Sequence, residues 1–173
     1  MNFTDYKHLF KHALPEQEYK FIKKLFNQPN AWNANCNKNP DVHSMFMNSR
    51  SWYSDTEHNV LHRTEKHPIT GYTLPALIFS SGEQKWFQDG KMHRTDIHKK
   101  TGFRLPALIS PEFLSMEWVE NGKLHRADTC NGFLLPASIS VHLDTEESVE
   151  LELDYYKNGN HLYYVTVKQK IKN

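Results

Sequence analysis

The chain contains little cysteine and no long apolar run, and each shortage excludes a class of protein. Its 173 residues include only two cysteines, Cys36 and Cys130. That is too few for the disulfide framework of a small secreted scaffold, and it favours a reducing compartment. No run of about 18 apolar residues is present, so we predict no membrane-spanning helix. The first residues also lack the pattern of a signal peptide. We therefore expect a soluble, cytoplasmic protein that has no membrane partner.

An excess of charge of one sign is missing as well. Lys and Arg number 21 and Asp and Glu number 20, so the broad positive field of a dedicated nucleic-acid binder is absent. Nucleic acid is therefore not expected to be the main partner. The sequence also has no Gly-x-Ser-x-Gly, no His-Glu-x-x-His and no glycine-rich phosphate loop. We expect no cofactor, and we lean against an enzyme while leaving the question open.

Aromatic residues, in contrast, are plentiful at 13% of the chain, while apolar residues make up 38%. A core that relies on Trp, Tyr and Phe favours packed sheet faces over a helical bundle. At this length we expect one domain with a small appendage.

The appendage is predicted to be an αα-hairpin within residues 1–28. Thr4 can cap a first helix, and Pro15 can occupy the first turn of a second one. Apolar residues with helical spacing form the two stripes: Tyr6, Leu9, Phe10, Ala13 and Leu14, then Tyr19, Ile22, Leu25 and Phe26. The asparagine-rich stretch that follows predicts a linker or ordered loop over residues 29–50.

From Trp52 to Tyr164 the sequence is built from copies of one unit of roughly thirty residues. One copy begins at Trp86 and reads WFQDGKMHRTD and then GFRLPALI. The next begins at Trp118 and reads WVENGKLHRAD and then GFLLPASI. A looser copy precedes them, and a partial copy over 154–164 follows them. Terminal copies that deviate are expected in a stacked array.

The sequence pattern of each copy predicts a hairpin followed by a third short strand. The pairs Asp89-Gly90, Asn121-Gly122 and Asn158-Gly159 supply the positive φ of tight hairpin turns. The later Leu-Pro-Ala run predicts a strand whose proline lies at its start, its edge or a bulge. The predicted fold is mainly β, with tandem β-hairpin repeats in a twisted antiparallel meander sheet. We place this β-repeat domain at 51–167 and a basic tail at 168–173.

The pattern of Trp, turn glycine, His-Arg-x-acid and Pro-Ala resembles a repeat of hypothetical proteins from tailed bacteriophages and large DNA viruses, W-x-x-x-G-x-x-H-R-x-D-G-P-A. It is also distantly similar to MORN-type hairpin repeats. The resemblance covers residues 52–164. The chain departs from the pattern where an insertion separates Asp96 from Pro106 and Asp128 from Pro136. The resemblance implies scaffolding or binding, in the host cytoplasm if the protein is viral, and offers no catalytic residues.

The His-Arg-x-acid segment of each full copy holds the candidate binding residues. On a strand the Arg and the acid share one face, and we expect a charge ladder that is paired between repeats. Alternatively, the arginines line a groove for an anionic ligand, with tryptophans as stacking platforms. The candidate ligand-binding residues are Arg63, Arg94, Arg126, Trp52, Trp86 and Trp118.

The histidines of the same segments, His62, His93 and His125, raise the alternative of a metal site. Equivalent positions in successive hairpins should lie roughly 10 Å apart, whereas zinc ligands converge within about 2.0–2.1 Å of one point. The spacing therefore argues against a shared metal ion.

Three functional hypotheses follow in order of rank. The first is a non-catalytic protein-interaction module, a phage or viral accessory protein that acts on a host or viral protein. The second is a binder of a small anionic ligand or nucleic acid through the Arg/Trp face. The third is a metal-dependent hydrolase that uses the repeat histidines.

Overall fold

The structure, a computed structural model, describes residues 3–27, 40–44, 48–55, 57–145 and 148–170. Most of the predicted asparagine-rich loop, including Cys36, and the last residues of the predicted basic tail lie outside these ranges. Within them the protein is mainly β, with two helices before the first strand. The predicted fold class is confirmed.

The two helices are α1, Phe3–Ala13, and α2, Glu16–Phe26, as the predicted αα-hairpin requires. Pro15 lies at the N-cap of α2, one position before the first turn in which we had placed it. The apolar stripes of both helices are buried: Phe3, Leu9, Phe10, Leu14, Phe21, Ile22, Leu25 and Phe26. Burying such a side chain stabilises the fold by about 1.5–3 kcal/mol, so the stripes fix the helices against the sheet.

The strands are short before residue 138 and long after it. In chain order they are β1 Val42–Ser44, β2 Ser49–Ser51, β3 Tyr53–Asp55, β4 Val60–Leu61, β5 Leu77–Phe79, β6 Gln84–Lys85, β7 Phe87–Gln88, β8 Lys91–Met92, β9 Leu108–Ser110, β10 Ser115–Glu117, β11 Val119–Glu120, β12 Lys123–Leu124, β13 Thr129–Cys130, β14 Phe133–Leu134, β15 Ser138–Thr145, β16 Ser148–Lys157 and β17 Asn160–Lys170.

One antiparallel sheet dominates the described residues. Its strand order is β1-β2-β5-β6-β9-β10-β15-β16-β17, a meander in which each strand pairs with its neighbours along this order. Met116 pairs with both Ile109 and Ile139, and Ile139 pairs with Leu153. Because paired residues share a face, these buried side chains form one apolar row, and they belong to the same core cluster as the helix stripes.

The predicted hairpin turns are confirmed. Asp89, Asn121 and Asn158 have φ of 50°, 52° and 53°, and the glycine after each is also at positive φ. Two of these turns close the hairpins β7–β8 and β11–β12, and the third closes β16–β17. Two consecutive residues at positive φ are what the favoured two-residue hairpin turn demands.

The third strand of each copy begins two residues after its proline, as the Leu-Pro-Ala run predicts. We did not predict that this strand also turns back on itself. β5 pairs with β6, and β9 pairs with β10, so each full copy contributes a second hairpin to the main sheet. The turn between β9 and β10 depends on Leu114 at φ 47°, a residue type that gives no turn signal.

The sheet is longer at both ends than the predicted boundaries. β1 and the start of β2 lie within the segment we had assigned to a linker, and β17 extends to Lys170, inside the predicted basic tail. The reason at the second end is pairing, since β17 matches the ten residues of β16 along their whole length.

Candidate functional site

The six candidate ligand-binding residues lie inside the copies and not along an open groove. The exposed fractions of Arg63, Arg94, Arg126, Trp52, Trp86 and Trp118 are 5%, 8%, 0%, 2%, 4% and 2%. In each copy the guanidinium carbon lies 3.8–3.9 Å from the centroid of the tryptophan ring. Each Nη1 also donates to the carbonyl of the copy's own proline, at 3.1, 3.0 and 3.2 Å. The cation–π and hydrogen-bonding capacity of these groups is therefore used within the fold.

The acid two residues after each arginine completes this contact, but not in the way the sequence indicated. Each arginine pairs with the acid of its own copy, and not with one in a neighbouring repeat. The link between copies comes from the backbone, because Asp96 also accepts the N–H of Thr73 at 2.9 Å. Asp128 accepts the N–H of Arg104 at 2.8 Å in the same way. Burial lowers the pKa of Arg94 to about 10 and Asp96 opposes the shift, so the guanidinium stays charged at neutral pH.

The three repeat histidines join each copy to the next. The Nδ1 atoms of His62, His93 and His125 accept backbone N–H groups from Asp89, Asn121 and Asn158, at 3.1, 3.0 and 3.1 Å. Each donor is the first residue of the following hairpin turn, and the N–H of the turn glycine bonds the carbonyl of the residue before the histidine. A ring nitrogen that accepts a hydrogen bond carries no proton. The histidines therefore lock successive copies together.

No group of three or more His, Cys, Asp or Glu side chains in the described part of the chain could hold a metal ion. The histidine-based metal site accordingly gains no support from the geometry.

Arg126 differs from its two equivalents because it has a second carboxylate partner. Glu18 of α2 accepts from its Nη1 at 2.6 Å and from its Nη2 at 3.2 Å, and neither side chain is exposed. Burial raises the pKa of the Glu18 carboxyl and the charge of Arg126 opposes that rise. The helical hairpin is thus anchored on the last full copy by a buried ion pair.

The sequence did not predict this anchor. Glu18 looked like one of the acidic residues that favour a helix N-terminus, and a single sequence gives no signal that one of them pairs 108 positions away.

A run of four consecutive exposed apolar residues lies on β17, the last strand of the sheet. Leu162, Tyr163, Tyr164 and Val165 are 47%, 48%, 63% and 40% exposed. Successive strand residues point to opposite faces, so apolar groups are exposed on both faces of the same segment. Among the described residues β17 pairs only with β16, and its other edge faces outward.

Aromatic contacts stiffen this segment. The rings of Tyr155 and Tyr163 are stacked across the β16–β17 pair with centroids 4.3 Å apart, and His161 lies between Tyr156 and Tyr164 at 5.0 and 6.3 Å. Burial and the neighbouring Tyr163 raise the pKa of Tyr155. The exposed residues of β17 are therefore held on a pre-formed strand, whose pairing with β16 shifts by one residue at Leu162.

The sequence held a signal for this edge that we did not use. The run from Leu162 to Val167 is rich in aromatic and β-branched residues, which favour strands, and it follows the last hairpin turn, where an array must end.

Comparison of the chain with protein-family models, with curated proteins and with solved structures gave no match. Within the described ranges neither helix is long and apolar enough to cross a membrane.

Proposed function

We propose that this chain is a non-catalytic protein-interaction module that binds an extended segment of another protein by strand addition along β17. The observation that carries the proposal is the exposed Leu162-Tyr163-Tyr164-Val165 segment on the outer strand of the sheet.

An outer strand supports this function because it presents a row of backbone N–H and C=O groups to an incoming strand. Natural edge strands are usually short, charged or covered, since a long apolar edge invites pairing. β17 spans 11 residues, and its charged residues, Lys168 and Lys170, are confined to its last three positions. Backbone pairing would supply affinity, and the alternating side chains would supply specificity.

The partner's chemistry follows from this distribution. A strand that runs antiparallel to β17 places its first residues beside Lys168 and Lys170 and its later residues beside the apolar segment. We therefore propose that the partner's segment is extended, is acidic at its start and is rich in aromatic and β-branched residues after that. The origin of the module in a phage or a large DNA virus, with a host or viral partner, rests on the resemblance of the repeat.

The test is a pull-down in which the protein is the bait and lysines are introduced on the outer edge of β17. The Leu162→Lys and Tyr164→Lys double variant adds two lysines to exposed positions of β17, where charge blocks strand pairing at little cost to the fold. The matched control is Ile69→Lys, which places lysine at a site that is 87% exposed and lies away from β17. We expect parent and control baits to retain the same partner protein from the host lysate and the double variant to lose it.

Sedimentation of the purified chain provides the second arm. The proposal expects a monomer, because the edge is reserved for a different protein. A dimer that the double variant converts to monomer would show that a second copy occupies the edge and would contradict the proposal, as would a partner that all three baits retain equally.

A further inference from the structure

The outer face of the main sheet contains a cleft of about 580 Å³, on the side opposite the apolar row. Its floor is formed by β9, β10 and β15, and it lies apart from the β17 edge. The volume falls within the range of small-molecule pockets. Serine side chains line much of it, at Ser110, Ser115, Ser138 and Ser140.

Ser110 is the first sign that the cleft is built to hold something. The residue is only 2% exposed, and its Oγ has no hydrogen-bond partner in the described structure. Buried polar side-chain atoms nearly always have a partner, and each exception requires an explanation such as a missing water or ligand. Ser110 is among the residues that line the cleft.

Glu117 is the second sign. It is half-buried in the same cleft, on the strand that carries Ser115, and no described residue gives its carboxylate a hydrogen bond or a close ion pair. The nearby lysine, Lys85, is already bound to Glu83 at 2.8 Å. A half-buried carboxylate without a partner is costly, and a cation placed beside it would remove that cost.

The side chains around the cleft indicate the chemistry of the rest of the occupant. Leu108 and Val141 give the cleft apolar patches, and Phe113, at 58% exposed, stands beside it with its ring accessible. Asp154 and Glu152 flank the serines, paired with Ser138 and Ser140 in the register of β15 and β16. The local charge is therefore negative, and the apolar surface suits a short hydrocarbon chain.

We propose that this cleft binds an alkylammonium group, with the ammonium held by the Glu117 carboxylate and the Ser110 hydroxyl and the alkyl chain against Phe113. An ammonium has three donors and no acceptor. It therefore suits a carboxylate and a hydroxyl whose oxygens accept no hydrogen bond from the described residues. The ring of Phe113 adds a favourable face for a cation or for its methylene groups.

Such a group can come from a free polyamine or from a lysine side chain of a protein. Titration of the intact chain, followed by backbone amide NMR, separates these sources with two probes: cadaverine, and α-acetyl-lysine amide. The diol of the same chain length as cadaverine is the neutral control. We expect both amines to shift the signals of Ser110, Ser115 and Glu117 in a saturable way. Tighter binding of one amine identifies the source.

Two variants link the binding to the named groups. Glu117→Gln keeps the shape of the side chain and should weaken amine binding about tenfold or more, since a hydrogen bond between two opposite charges is replaced by a weaker one to a neutral oxygen. Ser110→Ala should weaken it less while leaving the chain folded. The control is Glu57→Gln, which neutralises an exposed carboxylate outside the cleft.

The proposal is overturned if neither amine shifts these signals, if the diol binds as well as cadaverine, or if Glu117→Gln binds amines as tightly as the parent does.

Discussion

The guanidinium of Arg94 is held by three different groups: the ring of Trp86, the carboxylate of Asp96 and the carbonyl of Pro106. All three lie within one copy, so the contact stabilises the copy itself. The recurrence of the arginine in every full copy is therefore explained by folding alone, and the second hypothesis loses the residues on which it depended.

Removal of this guanidinium should be costly. Arg94→Ala leaves the Asp96 carboxylate and the Pro106 carbonyl without their donor, and we expect a loss of about 1–3 kcal/mol in the free energy of unfolding, measured by urea denaturation. Arg104→Ala is the control, because its ion pair with Glu120 is partly exposed and should be worth less than about 1 kcal/mol. Equal stability of the two variants would refute the role assigned to Arg94.

The charge of Glu117 should lower the stability of the fold, whereas the guanidinium of Arg94 raises it. Burial raises the pKa of Glu117 above its ordinary value of 4.5, Lys85 opposes that rise and Glu83 adds to it. A raised pKa means that the stability contributed by the protonated form is complete below pH 4.5 and is lost as the pH increases through the folded-state pKa.

At neutral pH, Glu117→Gln should therefore have a higher Tm than the parent, and the difference should shrink as the pH falls through the raised pKa of the carboxyl and reach its minimum near pH 4.5. Thermal melts of both proteins between about pH 4 and pH 8 measure it. A variant that is less stable than the parent at pH 7 would show that the carboxylate has a partner in the fold.

Successive hairpins are joined by a small set of bonds, of which the histidine Nδ1 contact is the most informative. His93→Leu removes the acceptor for the Asn121 N–H, whereas His93→Asn offers an oxygen at the corresponding position. We expect the Leu variant to be less stable than the Asn variant by about 1 kcal/mol, with faster hydrogen exchange at the Asn121 amide. Identical exchange rates in the two variants would mean that the contact does not join the copies.

The helical hairpin is attached by a buried ion pair as well as by its apolar stripes. Glu18→Ala removes one of the two carboxylate partners of the fully buried Arg126, which keeps Asp128, and we expect a loss of about 1–3 kcal/mol in the free energy of unfolding. Glu16→Ala, at an exposed position one helical turn from its partner Lys20, should have little effect. Chemical denaturation compares the two variants. A Glu18 variant that unfolds at the same denaturant concentration as the Glu16 variant would contradict the anchoring role.

For the whole molecule, the sequence predicted those features that depend on local signals. Positive φ at Asp89, Asn121 and Asn158 is a property of the turn dipeptides themselves, and the helix stripes follow from periodicity. The arginine contacts were predicted only in part. A strand pattern places Arg94 and Asp96 on one face, but the proline carbonyl and the tryptophan ring reach the guanidinium only through the tertiary fold.

The features that carry the proposed function could not be predicted from local sequence signals. Which strand forms the edge of the sheet is known only once the strand order is known. Ser110 and Glu117 reach one cleft only because the β9–β10 hairpin brings them together. The groove and the metal site that we had weighed as alternatives gain no support among the described residues, since the fold uses those side chains for its own contacts.

Amide hydrogen exchange along β17, from residue 160 to residue 167, tests the central claim most directly. In the free chain we expect alternating behaviour, in which the amides bonded to β16 exchange slowly and those that face outward exchange quickly. Binding of the partner should protect the outward-facing amides and leave exchange in β7–β8 and β11–β12 unchanged. Outward amides of β17 that are already protected in the free protein, or protection on binding that appears elsewhere and not on β17, would contradict the account.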